Sequence, residues 1–156
     1  MKTVLDDPSM IVVLAANSTI ATHWRWRTSC LLFALLFGAA FSACAACTFK
    51  TTPGAITFST FDPSVASIQT ASTSATVQCS GGQSPTWSFS GANGNAPLQM
   101  KHASQSVFIP YSVAATFVSG GTGNQLWNIT ATVLGSNYQN AQVGSYSDLL
   151  TLTITP

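Results

Sequence analysis

The chain has 156 residues, only 6% of them charged, and a formal net charge of +1 at neutral pH. An average soluble protein carries roughly 25% charged residues, so Ser, Thr, Asn and Gln must solubilise this surface. Nucleic-acid binding requires clustered Lys and Arg, and the five such residues here are scattered. The composition therefore argues against a nucleic-acid partner and favours strands and turns over helices.

The N-terminal third has the pattern of an export signal. The basic run "HWRWRTS" precedes "CLLFALLFGAAFSA", which carries no charge. A basic flank, an apolar core of about a dozen residues and small residues after it are typical of a secretory signal peptide, and the core is short for a membrane span of about 20 residues. Cleavage after Ala45 is favoured, with an uncleaved anchor or acylation of Cys44 as alternatives. We therefore assign 23–45 to the signal and set 1–22 aside as a doubtful extension.

Cleavage there leaves two cysteines, Cys47 and Cys79, in an oxidising compartment. An even count in an exported chain favours a disulfide. The alternative is a metal site with His102, but two thiolates and one imidazole at such separations are a weak signal. We expect the disulfide, and neither a metal nor another cofactor.

From Cys47 onward the pattern is of strands and turns. Period-two alternation of apolar residues predicts half-buried strands, and Gly, Pro, Asn and Asp clusters between them predict turns. Several short strands with such punctuation predict an all-β sandwich or barrel. The predicted strands are "AITFSTF", "TSATVQCS", "TWSFSG", "LQMKH", "SVFIPYSVAATF", "LWNITATVLG" and the closing "LLTLTITP".

Three segments, in order, carry a family resemblance: "FSTFDPS" (58–64), "TSATVQCSGG" (73–82) and "GSYSDLLTLTITP" (144–156). Together they resemble the spore coat protein U domain family of bacterial secreted, pilin-like proteins. That family has an early Cys, a "DP" segment, a strand ending in Cys and a closing "G-x-[YF]-x-D" motif before an alternating strand. The resemblance covers 46–156. It makes Asp62, Pro63, Gly144, Tyr146 and Asp148 the structural turn residues.

The resemblance implies a fold and a mechanism. The expected fold is all-β, an immunoglobulin-like, pilin-type β-sandwich that lacks its final strand. A donor strand from another polypeptide would fill the open groove, with main-chain bonds giving affinity and alternate side chains filling pockets. Leu150, Leu152 and Ile154 of the closing strand would line that acceptor groove.

The same resemblance implies the partners and the location. The partners are a periplasmic chaperone, an outer-membrane usher and other pilin subunits of a cell-surface fimbria, reached through the periplasm without stable membrane insertion after signal removal. After cleavage almost nothing precedes Cys47, so no donor segment is evident, which favours a tip subunit. The alternative is a self-sufficient secreted binding module or coat component that does not polymerise.

An enzyme is not expected. The segment after the signal has one His, two Asp and no Glu, and catalysis requires a convergent nucleophile, base and polariser. Asp62 and Asp148 could form a carboxylate pair, but each is expected to accept local hydrogen bonds at a turn. His102 is expected to be solvated. Tyr111 and Tyr138 are candidate surface-binding aromatics, whereas Trp87 and Trp127 are in phase with core residues.

Overall fold

The computed structural model describes residues 10–17, 46–121 and 123–156, and the predicted signal segment lies outside these ranges. The described residues form strands with one short helix and one short 3-10 turn. In chain order the elements are β1 (Met10–Asn17), β2 (Cys47–Thr51), β3 (Ile56–Phe58), β4 (Gln69–Cys79), β5 (Thr86–Gly91), β6 (Leu98–His102), β7 (Phe108–Gly120), β8 (Asn124–Val133), α1 (Gly135–Tyr138) and β9 (Tyr146–Thr155).

The strands form one continuous, curled sheet that closes over its own core. The hydrogen-bonded order is β2-β4-β8-β7-β6-β9-β1-β3, with β5 also paired to β9. Strand β7 joins the two halves, since its residues 108–111 pair with β6 and most of 112–120 pair with β8. The predicted all-β sandwich is confirmed.

Alternating burial explains why these segments are strands. On β8, Ile129, Ala131 and Val133 are fully buried, while Thr130 and Thr132 between them are half-buried. A period of two places one set of side chains on the core and the other toward water. Strand β4 alternates in the same way and pairs with β8 in continuous antiparallel register over ten positions.

The main core takes residues from both halves of the sheet, which is what makes the fold a sandwich. Its fully buried members come from β3, β4, β6, β8 and β9, among others. A smaller cluster at one end contains the two cysteines, Val77 and Ile154. The largest fully buried side chains include Tyr146, Ile56, Met100, Ile109, Ile129, Leu150, Leu152 and Ile154.

Strand β2 was not predicted, and the disulfide holds it in place. Cys47 and Cys79 are bonded and are register partners across the β2–β4 pair. The predicted disulfide is thus confirmed. Strand β2 lies at one end of the strand order, so the covalent link fixes an edge strand that is short and has only one neighbour.

Strand β1 is a second strand that was not predicted. It comes from 10–17, inside the segment that we set aside as a doubtful extension. The structure pairs it with β9 in parallel and with β3 in antiparallel orientation. This segment is therefore an interior strand of the sheet.

The disulfide yields a stability prediction. Replacing Cys47 and Cys79 together by Ser is expected to lower the free energy of unfolding by about 3–4 kcal/mol, because a closed loop restricts the unfolded chain. Urea unfolding followed by tryptophan fluorescence measures this loss. Wild-type protein in reductant is the control and should show the same midpoint as the double variant. An unchanged midpoint after complete reduction would contradict the prediction.

Candidate strand-acceptor site

The candidate site is the space between β9 and β3, which we call the acceptor groove. Strand β9 supplies one wall, with Leu150 and Leu152 fully buried and Ile154 1% exposed. Ile56 of β3 supplies the other wall and is also fully buried. The alternating sequence of β9 places these leucines on the core side, whereas Leu149 is 48% exposed. An apolar floor between two backbone edges is what an added strand requires.

In this structure β1 occupies the acceptor groove. Its parallel register with β9 runs from Ile11↔Ser147 to Asn17↔Thr153. Val12 is fully buried and lies in the main core. Leu14 is partly buried and packs against the same core. The groove is thus filled by a strand that contributes both backbone hydrogen bonds and apolar side chains.

A buried carboxylate marks one end of the groove. Asp148 is 3% exposed and is the register partner of Val12. Its Oδ2 accepts a hydrogen bond from the Tyr111 hydroxyl at 2.7 Å. Its Oδ1 accepts from Asn93 Nδ2 at 2.8 Å and more weakly from Asn93 N at 3.3 Å. The expected position of Asp148 at a turn is corrected: it lies inside β9, where it ties β7 and the β5–β6 connection to the groove wall.

The contact with Asp148 affects the pKa of Tyr111. Burial raises the pKa of the Tyr111 hydroxyl far above its ordinary value of 10.0, and the hydrogen bond and negative charge of Asp148 raise it further. Gly91 gives the carboxylate its space, since a Cβ there would lie 2.5 Å from Asp148 Oδ2. Burial likewise raises the pKa of Tyr146, against a smaller opposing effect of its hydrogen bond to the Gln142 carbonyl.

His102 is buried, which corrects the expectation of a solvated side chain. It is 6% exposed, and its Nδ1 accepts a hydrogen bond from Ser104 N at 3.1 Å. Its Nε2 lies 3.1 Å from the Val143 carbonyl oxygen, so this nitrogen carries the proton. The ring packs edge-on against Tyr146, with centroids 5.0 Å apart. Both ring nitrogens therefore have hydrogen-bond partners within the protein.

Gly144 has to be glycine for two reasons. Its φ of 153° is one that side chains rarely adopt, and a Cβ at this position would overlap the His102 ring. The turn before β9 therefore closes directly onto the imidazole. Gly144 and Tyr146 of the closing motif thus both contact His102, whereas Asp148 bonds Tyr111 and Asn93.

The proposed surface aromatics are not at the surface. Tyr111 is 4% exposed and Tyr138 3%. The Tyr138 hydroxyl lies 2.8 Å from the carbonyl oxygens of both Val65 and Ser67, and its one proton is available to either acceptor. Each ring faces the apolar core and each hydroxyl has an internal acceptor, so neither tyrosine can stack on an external ligand. This corrects their assignment as binding residues.

The first motif forms the turn that its sequence indicates. Asp62 Oδ1 accepts hydrogen bonds from Ser64 N at 2.9 Å and from the Ser64 hydroxyl, and the Asp62 carbonyl accepts from Val65 N at 3.1 Å. Pro63 is exposed within this turn. Phe61, just before it, is buried against the Tyr138 ring at 4.7 Å between centroids. The turn thereby leads the chain from β3 toward β4, and Phe61 packs it against Tyr138 of α1.

An aromatic cluster lies at one end of the sandwich and was not predicted from the sequence. Trp87 contacts Phe49 at 5.9 Å and Trp127 at 5.4 Å between ring centroids. Phe117 packs edge-on against Trp127 at 5.6 Å and remains 49% exposed. The parity of each strand places Trp87 and Trp127 inward, as expected, but only the cross-strand register brings the rings together.

The surface beside the groove contains one open depression with polar residues. Asn93, Lys101, His102 and Asp148 line it, and its volume is about 450 Å³. The polar atoms of His102 and Asp148 are committed to the internal hydrogen bonds described above. Among the described residues no three or more His, Cys, Asp or Glu side chains are grouped to hold a metal ion. In the same part of the chain, no helix has the length and apolarity to cross a membrane.

In comparisons with known proteins, no family model, no curated protein and no solved structure matches this chain. Fold and site alone therefore define the class. The chain is an all-β sandwich with an interior strand position that is filled by a segment distant in sequence from both neighbouring strands.

The close contact of Gly144 with His102 leads to a prediction. Gly144→Ala is expected to destabilise the fold by about 1–3 kcal/mol, because the added Cβ forces the buried ring and the turn apart. Gly121→Ala is the matched control, since a Cβ there meets no atom within 4 Å. Thermal or urea unfolding measures both variants. Equal stability of the two variants would disprove the steric account.

The raised pKa of Tyr111 predicts how stability depends on pH. In the unfolded chain this tyrosine ionises near pH 10, whereas in the folded chain it stays protonated, so stability should fall as pH rises above 10. Each tyrosine held protonated contributes a loss of about 1.4 kcal/mol per pH unit. Because Tyr111→Phe removes the hydrogen bond to Asp148, the free energy of unfolding of this variant should be about 1–3 kcal/mol lower at pH 7. Its stability should also fall less steeply above pH 10. Urea unfolding at pH 7 to 11.5 measures both effects, and identical slopes above pH 10 would contradict the prediction.

Proposed function

We propose that this chain is a non-enzymatic structural or adhesive subunit of a bacterial cell-surface fimbria, assembled by strand donation. The observation that carries the proposal is the acceptor groove. A strand position between β9 and β3 is filled by β1, which precedes the predicted signal segment in the sequence. Removal of the signal would leave that position to be filled by a strand from elsewhere.

The chemistry of the groove supports strand addition. Without β1, the edges of β9 and β3 would present unpaired backbone N–H and C=O groups, and buried polar backbone groups need partners. Leu150 and Leu152 would at the same time lose their apolar cover. An exposed strand edge beside exposed apolar side chains promotes aggregation unless it is covered. A chaperone that lends a strand during export meets both needs.

The proposed partners are a periplasmic chaperone, an outer-membrane usher and neighbouring pilin subunits. Support comes from the predicted signal, the Cys47–Cys79 disulfide and the closing motif of β9. The disulfide suits an oxidising compartment such as the periplasm. Since the groove filler β1 lies before the predicted cleavage site, the processed chain would accept a strand without offering one, which favours a position at the fibre tip.

The non-enzymatic part of the proposal is supported by the state of the titratable groups. Among the described residues, Asp148 and His102 are a carboxylate and an imidazole that line the same depression. Asp148 holds Tyr111 and Asn93, and His102 holds Ser104 and Val143. Hydrogen bonds of this kind satisfy buried polar groups, so a structural role accounts for both side chains, which supports a non-enzymatic function.

A second candidate function is a self-sufficient secreted binding module. One observation favours it: a strand of the same chain, β1, completes the sheet. If that strand were retained, no donor would be needed. The half-exposed Phe117 beside Trp127 would then be the first surface to test for adhesion to sugars or apolar materials, because exposed aromatic rings stack on both.

The test is to produce residues 46–156 in a bacterial periplasm, alone and together with a periplasmic chaperone of a chaperone–usher system. We expect recovery only as a one-to-one complex with the chaperone. Leu152→Asp should abolish the complex by placing a charge on the groove floor, whereas Leu149→Asp, on the exposed side of the same strand, should leave it intact. Size-exclusion chromatography with mass determination gives the stoichiometry.

The outcome that overturns the proposal is equally direct. A stable, soluble monomer of 46–156 without the chaperone would show that the groove needs no added strand. The binding-module function would then be favoured.

A further inference from the structure

The occupant of the acceptor groove is a segment of this chain, and its fit is defined in detail. Strand β1 pairs with β9 over seven consecutive positions and with β3 over three. It thus satisfies both backbone edges that border the groove. A segment that only lay across the surface would not continue two registers at once.

The side chains of β1 that the structure describes also match the groove. Val12 is fully buried opposite Asp148, and Leu14, opposite Leu150, packs against the main core. The segment "MIVVLAAN" is uncharged throughout, so no charge enters the core whichever face a residue takes. Both the backbone and the sequence of 10–17 suit this position.

The position of β1 in the sequence allows it to fill the acceptor groove of its own chain. The segment 18–45, which contains the predicted signal, separates β1 from β2. Fully extended, such a segment reaches at most roughly 100 Å, which is ample for β1 to fold back onto its own domain. A tethered strand has an effective concentration in the millimolar range, so its own groove outcompetes that of a second molecule at micromolar protein.

We propose that residues 10–17 close the acceptor groove in cis in the uncleaved chain, and that cleavage after Ala45 opens it to a partner strand. This rests on the proposed function, because it names what covers the same groove before processing. Closure in cis requires that the leader, meaning residues 1–45, and the domain lie in the same compartment. In that state the aggregation-prone edges of β9 and β3 are covered, and removal of the leader is the step that makes the domain competent to receive a strand.

A cysteine trap tests closure in the full chain. Position 13 is the register partner of the exposed Leu149, so V13C/L149C, with Cys30 and Cys44 changed to Ser, should form one additional disulfide. Paired strand positions have the Cα separation that a disulfide needs. The matched control is V13C/T153C, because Thr153 is the register partner of Asn17 and lies out of reach of position 13.

Non-reducing electrophoresis and mass spectrometry measure the fraction of chain that forms the additional disulfide and show whether it lies within one molecule or between two. We expect an internal link in a monomer for V13C/L149C and at least tenfold less for V13C/T153C. Disulfide-linked dimers would overturn closure in cis in favour of exchange between copies. Equal linking in the two variants would overturn the register and with it the proposal.

Opening of the groove is tested with a fluorescent peptide of sequence 10–17, followed by anisotropy. Native full-length chain should exclude the peptide, whereas Val12→Asp, which places a charge in the core, should release β1 and raise peptide uptake at least tenfold. Val13→Asp, at the position paired with the exposed Leu149, is the control and should behave as the native chain.

These results separate this inference from the proposed function. Uptake by the native chain equal to that of Val12→Asp would overturn closure in cis and leave strand acceptance standing. A folded Val12→Asp chain that refuses the peptide would overturn strand acceptance itself. If Val12→Asp fails to fold, the cysteine trap still decides whether β1 closes the groove.

Discussion

Backbone pairing along both edges of β9 is the interaction on which the rest of the sandwich depends. On one edge β9 pairs with β6 at its start and with β5 along the remainder. On the other edge it pairs with β1. The same strand buries Leu150 and Leu152 in the core shared by both halves of the sheet. An interior strand with one edge uncovered would expose polar backbone and apolar side chains together, which is the least favourable combination for a soluble protein.

Asp148 shows how polar groups fix the geometry of an apolar groove. A buried carboxylate is costly unless it is hydrogen-bonded, and here the Tyr111 hydroxyl and the Asn93 side chain provide the bonds. Because those partners come from β7 and from the connection after β5, a shift of β9 by one residue would break every one of them. It would also turn the leucines to the solvent face. The carboxylate therefore helps to set the register of the wall that receives a strand.

The sequence was most informative where a strand has one wet face. Strands β4, β5, β8 and β9 could be predicted from period-two alternation, and the disulfide from cysteine count and export. The same alternation contains the position of Asp148, since Tyr146, Asp148 and Leu150 share one parity and one face. Parity alone does not decide the position of Asp148, because an Asp after "GSYS" also fits a turn. The tyrosines were misplaced for a related reason: a hydroxyl makes a residue look suited to water, although Tyr111 and Tyr138 each find an internal acceptor.

Strand β1 could not be predicted from local pattern, because its identity depends on a partner far away in the sequence. Residues 10–16 of "MIVVLAAN" are all apolar, so they show no alternation that would distinguish a strand from the start of a signal segment. A strand with neighbours on both edges and core beneath it does not require alternating polar residues. The position of β1 is therefore determined by its partners, β9 and β3. The groove and its filler are therefore specified separately in the sequence, the groove by the alternation of β9 and the filler by apolar character alone. A site specified in that way suits an extended segment that is apolar at the positions of Val12 and Leu14. On the proposed function, the supply of that segment, in cis or from a partner, is the step that can be controlled.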